Sequence, residues 1–381
     1  MDADVAGQLP TPVRGDGSGR DGVVPVIDVS PLVAGSELAA RAETGRAIVD
    51  ACEAPGFFQV VGHGVDPELR RHLESGAREF FALPEEEKAR IAMALGGPAW
   101  RGWFPLGGEL TAGVPDGKEG LYFGTDLPPD DPRVVAGLPL HGANLYPERP
   151  RDLARLVPRW MDAVTDVGRA ILRGIALGLG LDEGHLESWC AEPTVLFRIF
   201  HYPVVHRASA DESPTWGVGE HTDYGLLTLL AQDDTGGLQV MSRGADGAGE
   251  PEWVDVTPVD DAFVCNLGDM LERWSGGRFV ATPHRVATPT ADRISMPLFL
   301  DPGWDVEVRA LGGAGTSGTR AARRWDGEDV HAVEGPYGDY LLSRVARVFP
   351  DLFDSVAGSS PTPTRRDHPR EDTGREGGQR V

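Results

Sequence analysis

Residues 220–240 read EHTDYGLLTLLAQDDTGGLQV, and this stretch decides the fold class. Its centre, LLTLLA at 226–231, is a short apolar run, and the turn-forming residues DDTGG follow it at 233–237. A short apolar run bounded by turn residues is typical of a buried β-strand. His221 and Asp223 stand two positions apart at the leading edge of this strand, so their side chains are expected to face the same way.

Further strand-like segments, GLQVM, EWVDV and AFVCNLG, follow and lead to Pro283-His284-Arg285-Val286. A barrel of short strands would bring His284 back beside His221 and Asp223. Two imidazoles and one carboxylate form the ligand set of an open mononuclear iron site. Such a site keeps coordination positions free for a bidentate co-substrate and dioxygen.

A second pair with the same spacing, Arg293 and Ser295, lies in the apolar segment RISMPLFL. A guanidinium can bind a carboxylate bidentately, and a hydroxyl adds a further hydrogen bond. Tyr202, in FRIFHYP, offers a phenolic donor to the same carboxylate or to the neighbouring one. These three residues predict a site for a small dicarboxylate beside the metal.

The chain resembles the isopenicillin N synthase-like branch of the Fe(II)/2-oxoglutarate-dependent dioxygenases over roughly residues 23–350. A lone His-x-Asp is weak evidence, but many matching segments in the same order are strong evidence. In chain order these segments are VPVIDVSPL (24–32), GFFQVVGHGV (56–65), FFALPEEEKAR (80–90), RGWFPLGGE (101–109), KEGLYFG (118–124), HTDYGLLTLLAQDDTGGLQV (221–240), WVDVTP (253–258), NLGDMLERWSGGRF (266–279), PHRV (283–286) and RISMPLFLDP (293–302).

The resemblance implies an α+β fold with a mainly β core, a double-stranded β-helix (jelly roll) flanked by helices. It implies Fe(II) bound by His221, Asp223 and His284, with O2 as oxidant and ascorbate as an activator. It implies hydroxylation, desaturation or cyclisation of a small organic molecule, for instance in secondary metabolism. Succinate and CO2 would be the co-products from 2-oxoglutarate.

The same resemblance implies that 2-oxoglutarate chelates the iron and places its distal carboxylate on Arg293 and Ser295. Tyr202 takes the position of a family Tyr before Pro that often touches the co-substrate. The chain departs from many relatives at Phe200, where they carry an Asn that helps to seat the co-substrate. The resemblance therefore does not predict that part of the contact shell.

Three alternatives stay open at the level of sequence. An oxidase on the same iron scaffold could keep the Arg-x-Ser pattern and take all its electrons from substrate or ascorbate. A non-catalytic binding protein could keep the barrel, although the intact triad argues against it. A zinc protein is the third alternative, because two His and one Asp can also bind zinc.

Composition limits the partners and the compartment. The formal net charge is −23, which argues against nucleic acid because binding to a phosphate backbone needs basic patches. No apolar stretch reaches the roughly 20 residues of a membrane span, and the N-terminus lacks the pattern of a signal peptide. Three widely spaced cysteines indicate free thiols in a cytoplasmic protein. The expected partner is a small-molecule substrate, and the oligomeric state is left open.

The chain is expected to divide into five regions. They are a disordered tail (1–22), an N-terminal region of helices and strands that complete the barrel (23–193), the catalytic barrel (194–305), a loop insertion with a C-terminal helix (306–355) and a second disordered tail (356–381).

Two further segments and one arginine suggest possible roles beside the substrate or in nucleotide binding. Residues 97–125 are rich in Gly and aromatic residues, which favours a loop beside the substrate rather than core, with Trp100, Trp103, Phe104 and Tyr122 as candidate lid or pocket residues. Arg101 could meet an anionic substrate group or form a structural salt bridge. The sequence GAGTSG at 313–318 matches a dinucleotide-binding pattern, but it lacks the βαβ context and is interpreted as a loop.

Overall fold

The computed structural model describes residues 24–204, 216–242, 250–311 and 326–350. The two predicted tails and the GAGTSG segment lie outside the described residues, in whole or in large part. The strands are β1 (Val26–Asp28), β2 (Phe57–Val61), β3 (Gly102–Phe104), β4 (Leu110–Thr111), β5 (Val114–Pro115), β6 (Glu119–Gly124), β7 (Thr194–Tyr202), β8 (Val218–His221), β9 (Leu227–Gln232), β10 (Leu238–Ser242), β11 (Glu252–Asp255), β12 (Phe263–Leu267), β13 (His284–Val286) and β14 (Arg293–Asp301).

The helices flank these strands in the sequence and in space. They are α1 (Ser30–Val33), α2 (Leu38–Glu53), α3 (Pro67–Phe81), α4 (Glu85–Lys88), α5 (Pro132–Val135), α6 (Leu153–Gly178), α7 (Asp269–Trp274) and α8 (Tyr337–Val348). Short 3-10 helices cover Ala89–Ile91, Met93–Ala99, Glu187–Cys190 and Val330–Ala332. Among the described residues, none of these helices is both long and apolar enough to cross a membrane.

Two sheets form the core. The major sheet has eight strands in the order β1-β2-β12-β9-β14-β7-β6-β3, and the minor sheet has four in the order β11-β10-β13-β8. Strands that neighbour each other in the sheets are often distant in sequence, as in a jelly roll. The predicted α+β fold with a double-stranded β-helix is therefore confirmed.

Helix α6 supports the outer face of the major sheet. Its Gly168 packs against side chains of β9 and β14, where an added Cβ would lie 2.7 Å from Leu300. On its other side α6 meets α2, where a Cβ on Gly45 would lie only 2.2 Å from the carbonyl oxygen of Gly174. Glycine at these contacts lets the backbones approach closely, and the sheet that carries the site rests on this rigid layer.

The interpretation of residues 97–125 as a loop is wrong for its strands. All three residues of β3 and all six of β6 are buried, and both strands belong to the major sheet. Gly120 shows why a Gly-rich strand fits here, because a Cβ at this position would lie 2.5 Å from the ring of Phe104. Gly120 thus makes room for the rings of Phe104 and Phe200 on the neighbouring strands, and this part of the segment belongs to the core.

Candidate metal centre and co-substrate pocket

The two histidines of the predicted triad meet on the minor sheet. His221 is the last residue of β8, His284 is the first residue of β13, and the two are register partners with ring centroids 4.2 Å apart. Asp223 lies just past the end of β8, not on the strand that contains LLTLLA. The expectation of one continuous strand is therefore wrong, because the chain turns between β8 and β9.

The side chains nevertheless converge. Asp223 Oδ1 lies 3.9 Å from His221 Nε2 and 3.8 Å from His284 Nε2. One ligand atom from each of the three residues falls within 4.8 Å of the other two. An imidazole nitrogen from each of two strands and a carboxylate oxygen from the next turn can thus share one ion.

Hydrogen bonds orient each side chain. The Nδ1 atoms of His221 and His284 face the carbonyl oxygens of Gly219 at 2.8 Å and Thr282 at 3.2 Å. An N–H at Nδ1 that donates to a carbonyl leaves Nε2 with its lone pair directed toward the centre.

The far oxygen of Asp223 is held by the major sheet. Asp223 Oδ2 accepts hydrogen bonds from Asn266 Nδ2 at 2.6 Å and from Thr228 Oγ1. Asn266 lies in β12 and contacts the carboxylate directly. No local signal could identify Asn266 or Thr228, since their roles depend on how the strands pair.

The electrostatics favour the forms that bind a cation. Burial, followed by the proximity of His221, lowers the pKa of His284 to about 4. Burial also lowers the pKa of His221. Burial alone would raise the pKa of Asp223, but the two histidines and its hydrogen bonds outweigh this effect and lower it. Neutral imidazoles and an ionised carboxylate are the protonation states that metal binding requires, so this donor set fits a divalent ion.

The predicted co-substrate residues also meet. Arg293 on β14 is the register partner of Tyr202 on β7, and its Cζ lies 4.8 Å from the centroid of the Tyr202 ring. The hydroxyls of Tyr202 and Ser295 are 3.4 Å apart. Sequence reasoning missed Gln232, which accepts a hydrogen bond from Arg293 Nη2 at 3.0 Å.

One nitrogen of Arg293 lacks a partner. The side chain is fully buried; Nε donates to the carbonyl of Gly236 at 2.7 Å, but Nη1 has no hydrogen-bond partner among the described residues. A buried guanidinium nitrogen without a partner carries a free-energy cost unless a ligand supplies an acceptor. This orphaned donor therefore fits the carboxylate of a bound dicarboxylate.

A cavity of about 490 Å³ joins the two groups of residues. The triad, Arg293, Ser295 and Tyr202 all line it, as does Phe200, the residue that departs from the family pattern. Trp100, Trp103, Phe104 and Tyr122 do not line this cavity, so their interpretation as its pocket residues is wrong. They are buried in the sheet and in the segment leading to it instead.

His201 lies next to Tyr202 but forms ion pairs outside the cavity. Its Nδ1 is 2.9 Å from Glu119 Oε1 and its Nε2 is 2.7 Å from Asp292 Oδ2. Burial alone would lower the pKa of His201, but hydrogen bonds to Glu119 and Asp292 and their charges outweigh it and raise the pKa. The folded state therefore favours the protonated ring, which couples folding to pH.

We expect this ion pairing to stabilise the fold most at acidic to neutral pH. Because the folded pKa is raised, the contribution is complete below the ordinary His pKa of about 6.5 and is lost as pH rises through the folded value. The measurement compares the melting temperatures of wild type and His201→Gln across pH. The wild type should melt several degrees above His201→Gln at low pH, and this difference in melting temperature should decrease at alkaline pH. A difference that is the same at every pH would contradict this account.

Comparisons with known proteins match both halves of the chain. Residues 24–149 match the model of the non-haem dioxygenase N-terminal region (described as "in morphine synthesis"), and residues 193–302 match that of the 2OG-Fe(II) oxygenase superfamily. The chain is 39% identical to a Dictyostelium discoideum protein named "Probable iron/ascorbate oxidoreductase", over 87% of this chain and 96% of that one.

Two further relatives extend the match. A 1-aminocyclopropane-1-carboxylate oxidase of Dictyostelium discoideum is 31% identical over 88% of this chain and 97% of its own. A full-length Neurospora crassa protein, solved in complex with alpha-KG, aligns with a TM-score of 0.69 and 28% identity over 88% of this chain and 98% of that one.

Proposed function

Since the chain belongs to the 2OG-Fe(II) oxygenase superfamily and is thus a 2-oxoglutarate-dependent non-haem iron enzyme that oxidises a small molecule, we propose that His221, Asp223 and His284 hold its iron. Arg293, Ser295 and Tyr202 bind 2-oxoglutarate in the same cavity. The observation that carries this proposal is the convergence of one ligand atom from each of the three metal-binding residues within 4.8 Å.

The chain's own residues prepare the metal site before any ligand arrives. Carbonyl oxygens behind His221 and His284 fix their rings, and Asn266 and Thr228 hold the far oxygen of Asp223. Such outer contacts keep the ligand atoms in place, so binding requires little rearrangement. When bound, ferrous iron and 2-oxoglutarate supply the oxidising power by activating dioxygen, with succinate and CO2 as co-products.

Arg293 orients the co-substrate. Its unpartnered Nη1 and the hydroxyls of Ser295 and Tyr202 provide donors for one carboxylate at the end of the cavity. Phe200 lines the same wall and cannot donate a hydrogen bond. Arg293, Ser295 and Tyr202 therefore bind the co-substrate without the Asn that helps to seat it in many relatives. The apolar walls keep water away from the reacting groups.

A turnover assay tests this function against its alternatives. The full chain is loaded anaerobically with Fe(II), mixed with 2-oxoglutarate and ascorbate, and exposed to O2 with a library of small organic molecules. We expect succinate in step with a product whose mass shows hydroxylation or desaturation. An oxidised product without succinate would establish the 2-oxoglutarate-independent oxidase. The absence of both succinate and an oxidised product would contradict the proposed function. Zinc in place of iron should give no turnover.

The net charge of −23 supports the proposal that the protein does not bind nucleic acid. Cys52, Cys190 and Cys265 are all buried free thiols, which supports a reducing compartment such as the cytoplasm. We further propose that residues 194–305 are the catalytic barrel and that residues 23–193 complete and support it.

A further inference from the structure

A second arginine, Arg198, faces the active-site cavity at a distance from Arg293. It lies on β7 and lines the cavity with a side chain that is 17% exposed. Its Cζ lies 4.2 Å from the centroid of the Tyr122 ring and 4.7 Å from that of Phe299, and these contacts hold the guanidinium in place. The Nε of Arg198 is buried and has no hydrogen-bond partner among the described residues.

The carboxylate beside Arg198 is already engaged by other donors. Arg198 Nη1 is 3.6 Å from Glu109 Oε1, which is too long for a hydrogen bond. The hydroxyl of Tyr122 donates to the same oxygen, and Lys118 Nζ lies 2.9 Å from the other oxygen. Glu109 therefore pairs with Arg198 through charge alone and leaves its Nε without a hydrogen bond.

Arg101 places another positive charge behind Arg198. It is 2% exposed, its Nη2 donates to the carbonyl of Leu140 at 2.8 Å, and its Nε lacks a partner among the described residues. Burial lowers the pKa of Arg101 to about 10 despite the opposing charge of Asp126, and the charge of Arg198 adds to this lowering. Arg101 lines a separate cavity of about 1030 Å³ rather than the active-site cavity, and it forms no salt bridge with another described residue, so it can act on a ligand beside Arg198 only through its charge.

The two arginines line one small void of about 10 Å³, together with Leu196 and Phe349. An anion bound at Arg198 would add to the charge of Glu109 in offsetting the repulsion between these like charges. We propose that the substrate of this oxygenase is a carboxylic acid, and that Arg198 binds its carboxylate with Arg101 as a second positive charge. This inference rests on the proposed function, because it concerns the same cavity.

A carboxylate fits this position better than a phosphate. The planar fork of Arg198 matches the two oxygens of a carboxylate. Acidic side chains, among them Glu109, Glu220 and Asp301, also line the cavity and would repel a dianion more strongly. Between the arginines at 198 and 293 the walls are apolar, with Phe200, Leu230 and Pro297, so the body of the acid should be apolar.

The two charged positions occupy one wall of the cavity. Side chains at 198, 200 and 202 of β7 share a face, so Arg198 stands four residues, or about 13 Å along the strand, from Tyr202. Tyr202 in turn is the register partner of Arg293. The co-substrate and the substrate would therefore bind through carboxylates at separate ends of the wall.

The test uses arylalkanoic acids of graded chain length, each paired with its neutral primary amide. Binding to the full chain, loaded anaerobically with Fe(II) and 2-oxoglutarate, is measured by calorimetry. We expect at least one acid to bind about tenfold or more tightly than its amide, because a charge-assisted bidentate contact exceeds 1.4 kcal/mol or so. Arg198→Gln should abolish this preference.

Controls separate this inference from the proposed function. Arg347→Gln is the matched control, because Arg347 also lines the cavity but is 62% exposed and pairs with Glu328, so the acid preference should persist. If Arg198→Gln does not fold, Arg198→Lys keeps the charge without the fork and should weaken the preference. A wild type that prefers no acid over its amide, or a preference that survives either Arg198 variant undiminished, overturns the inference. Succinate release by the wild type is measured separately and tests the proposed function alone.

Discussion

The His284→Ala enzyme is expected to lose both iron binding and succinate production. His284 is buried, its Nε2 faces Asp223 Oδ1 at 3.8 Å, and its ring packs edge-on against Phe57. Even residues that only hydrogen-bond to a metal ligand typically contribute about 10- to 100-fold to affinity or activity. Removal of a ligand itself should therefore lower succinate formation to less than about one-hundredth of the wild-type rate.

Metal binding gives a readout for this variant that does not depend on turnover. Fe(II) added anaerobically should raise the melting temperature of the wild type, since a ligand that binds only the folded state stabilises it. The same addition should leave His284→Ala unchanged. His72→Ala is the matched control, because His72 is exposed on α3 and should retain the wild-type response. A His284→Ala protein that still binds iron and turns over would contradict the assigned ligand set.

Arg293→Gln will raise the KM for 2-oxoglutarate by about a hundredfold or more. The guanidinium is fully buried and presents its unpartnered Nη1 beside Ser295 and Tyr202. Loss of one partner in a buried, hydrogen-bonded charge pair costs about 2–5 kcal/mol, and about 2.7 kcal/mol corresponds to a hundredfold. Fe(II) binding should be retained, because Arg293 does not contact the proposed ligands.

Arg285→Gln serves as the control for this effect. Arg285 lies on β13 between the rings of Trp216 and Trp253 and does not line the cavity, so its replacement should leave the KM for 2-oxoglutarate unchanged. An Arg293→Gln enzyme with an unaltered KM for 2-oxoglutarate would show that this carboxylate binds elsewhere. It would also favour the oxidase that needs no 2-oxoglutarate.

The sequence allowed prediction of those parts of the site that local patterns specify. The spacing of His221 and Asp223 and the later appearance of His284 were enough to predict three side chains that now lie together. Arg293 and Ser295 were predicted in the same way, from alternation along a strand, and they line the same cavity. The spacing of Arg293 and Ser295 follows the period of a strand, whereas Asp223 reaches the metal centre from the turn after β8.

The supporting contacts could not be predicted, because they depend on strand pairing across long stretches of chain. Asn266 reaches Asp223 only because β12 pairs with β9, and Gln232 reaches Arg293 only because β9 pairs with β14. For β3 and β6, the interpretation of residues 97–125 as a loop was wrong for a related reason, whereas residues 109–113 line the cavity as expected. Gly120 suits a strand only beside the ring of Phe104, which local sequence does not reveal.

Anomalous diffraction at the iron edge, from crystals grown anaerobically with Fe(II), tests the central claim most directly. The account predicts one iron peak within bonding distance of Nε2 of His221, Nε2 of His284 and Oδ1 of Asp223. An iron peak bound by other residues, or one that leaves the ring of His284 outside its coordination sphere, would contradict it.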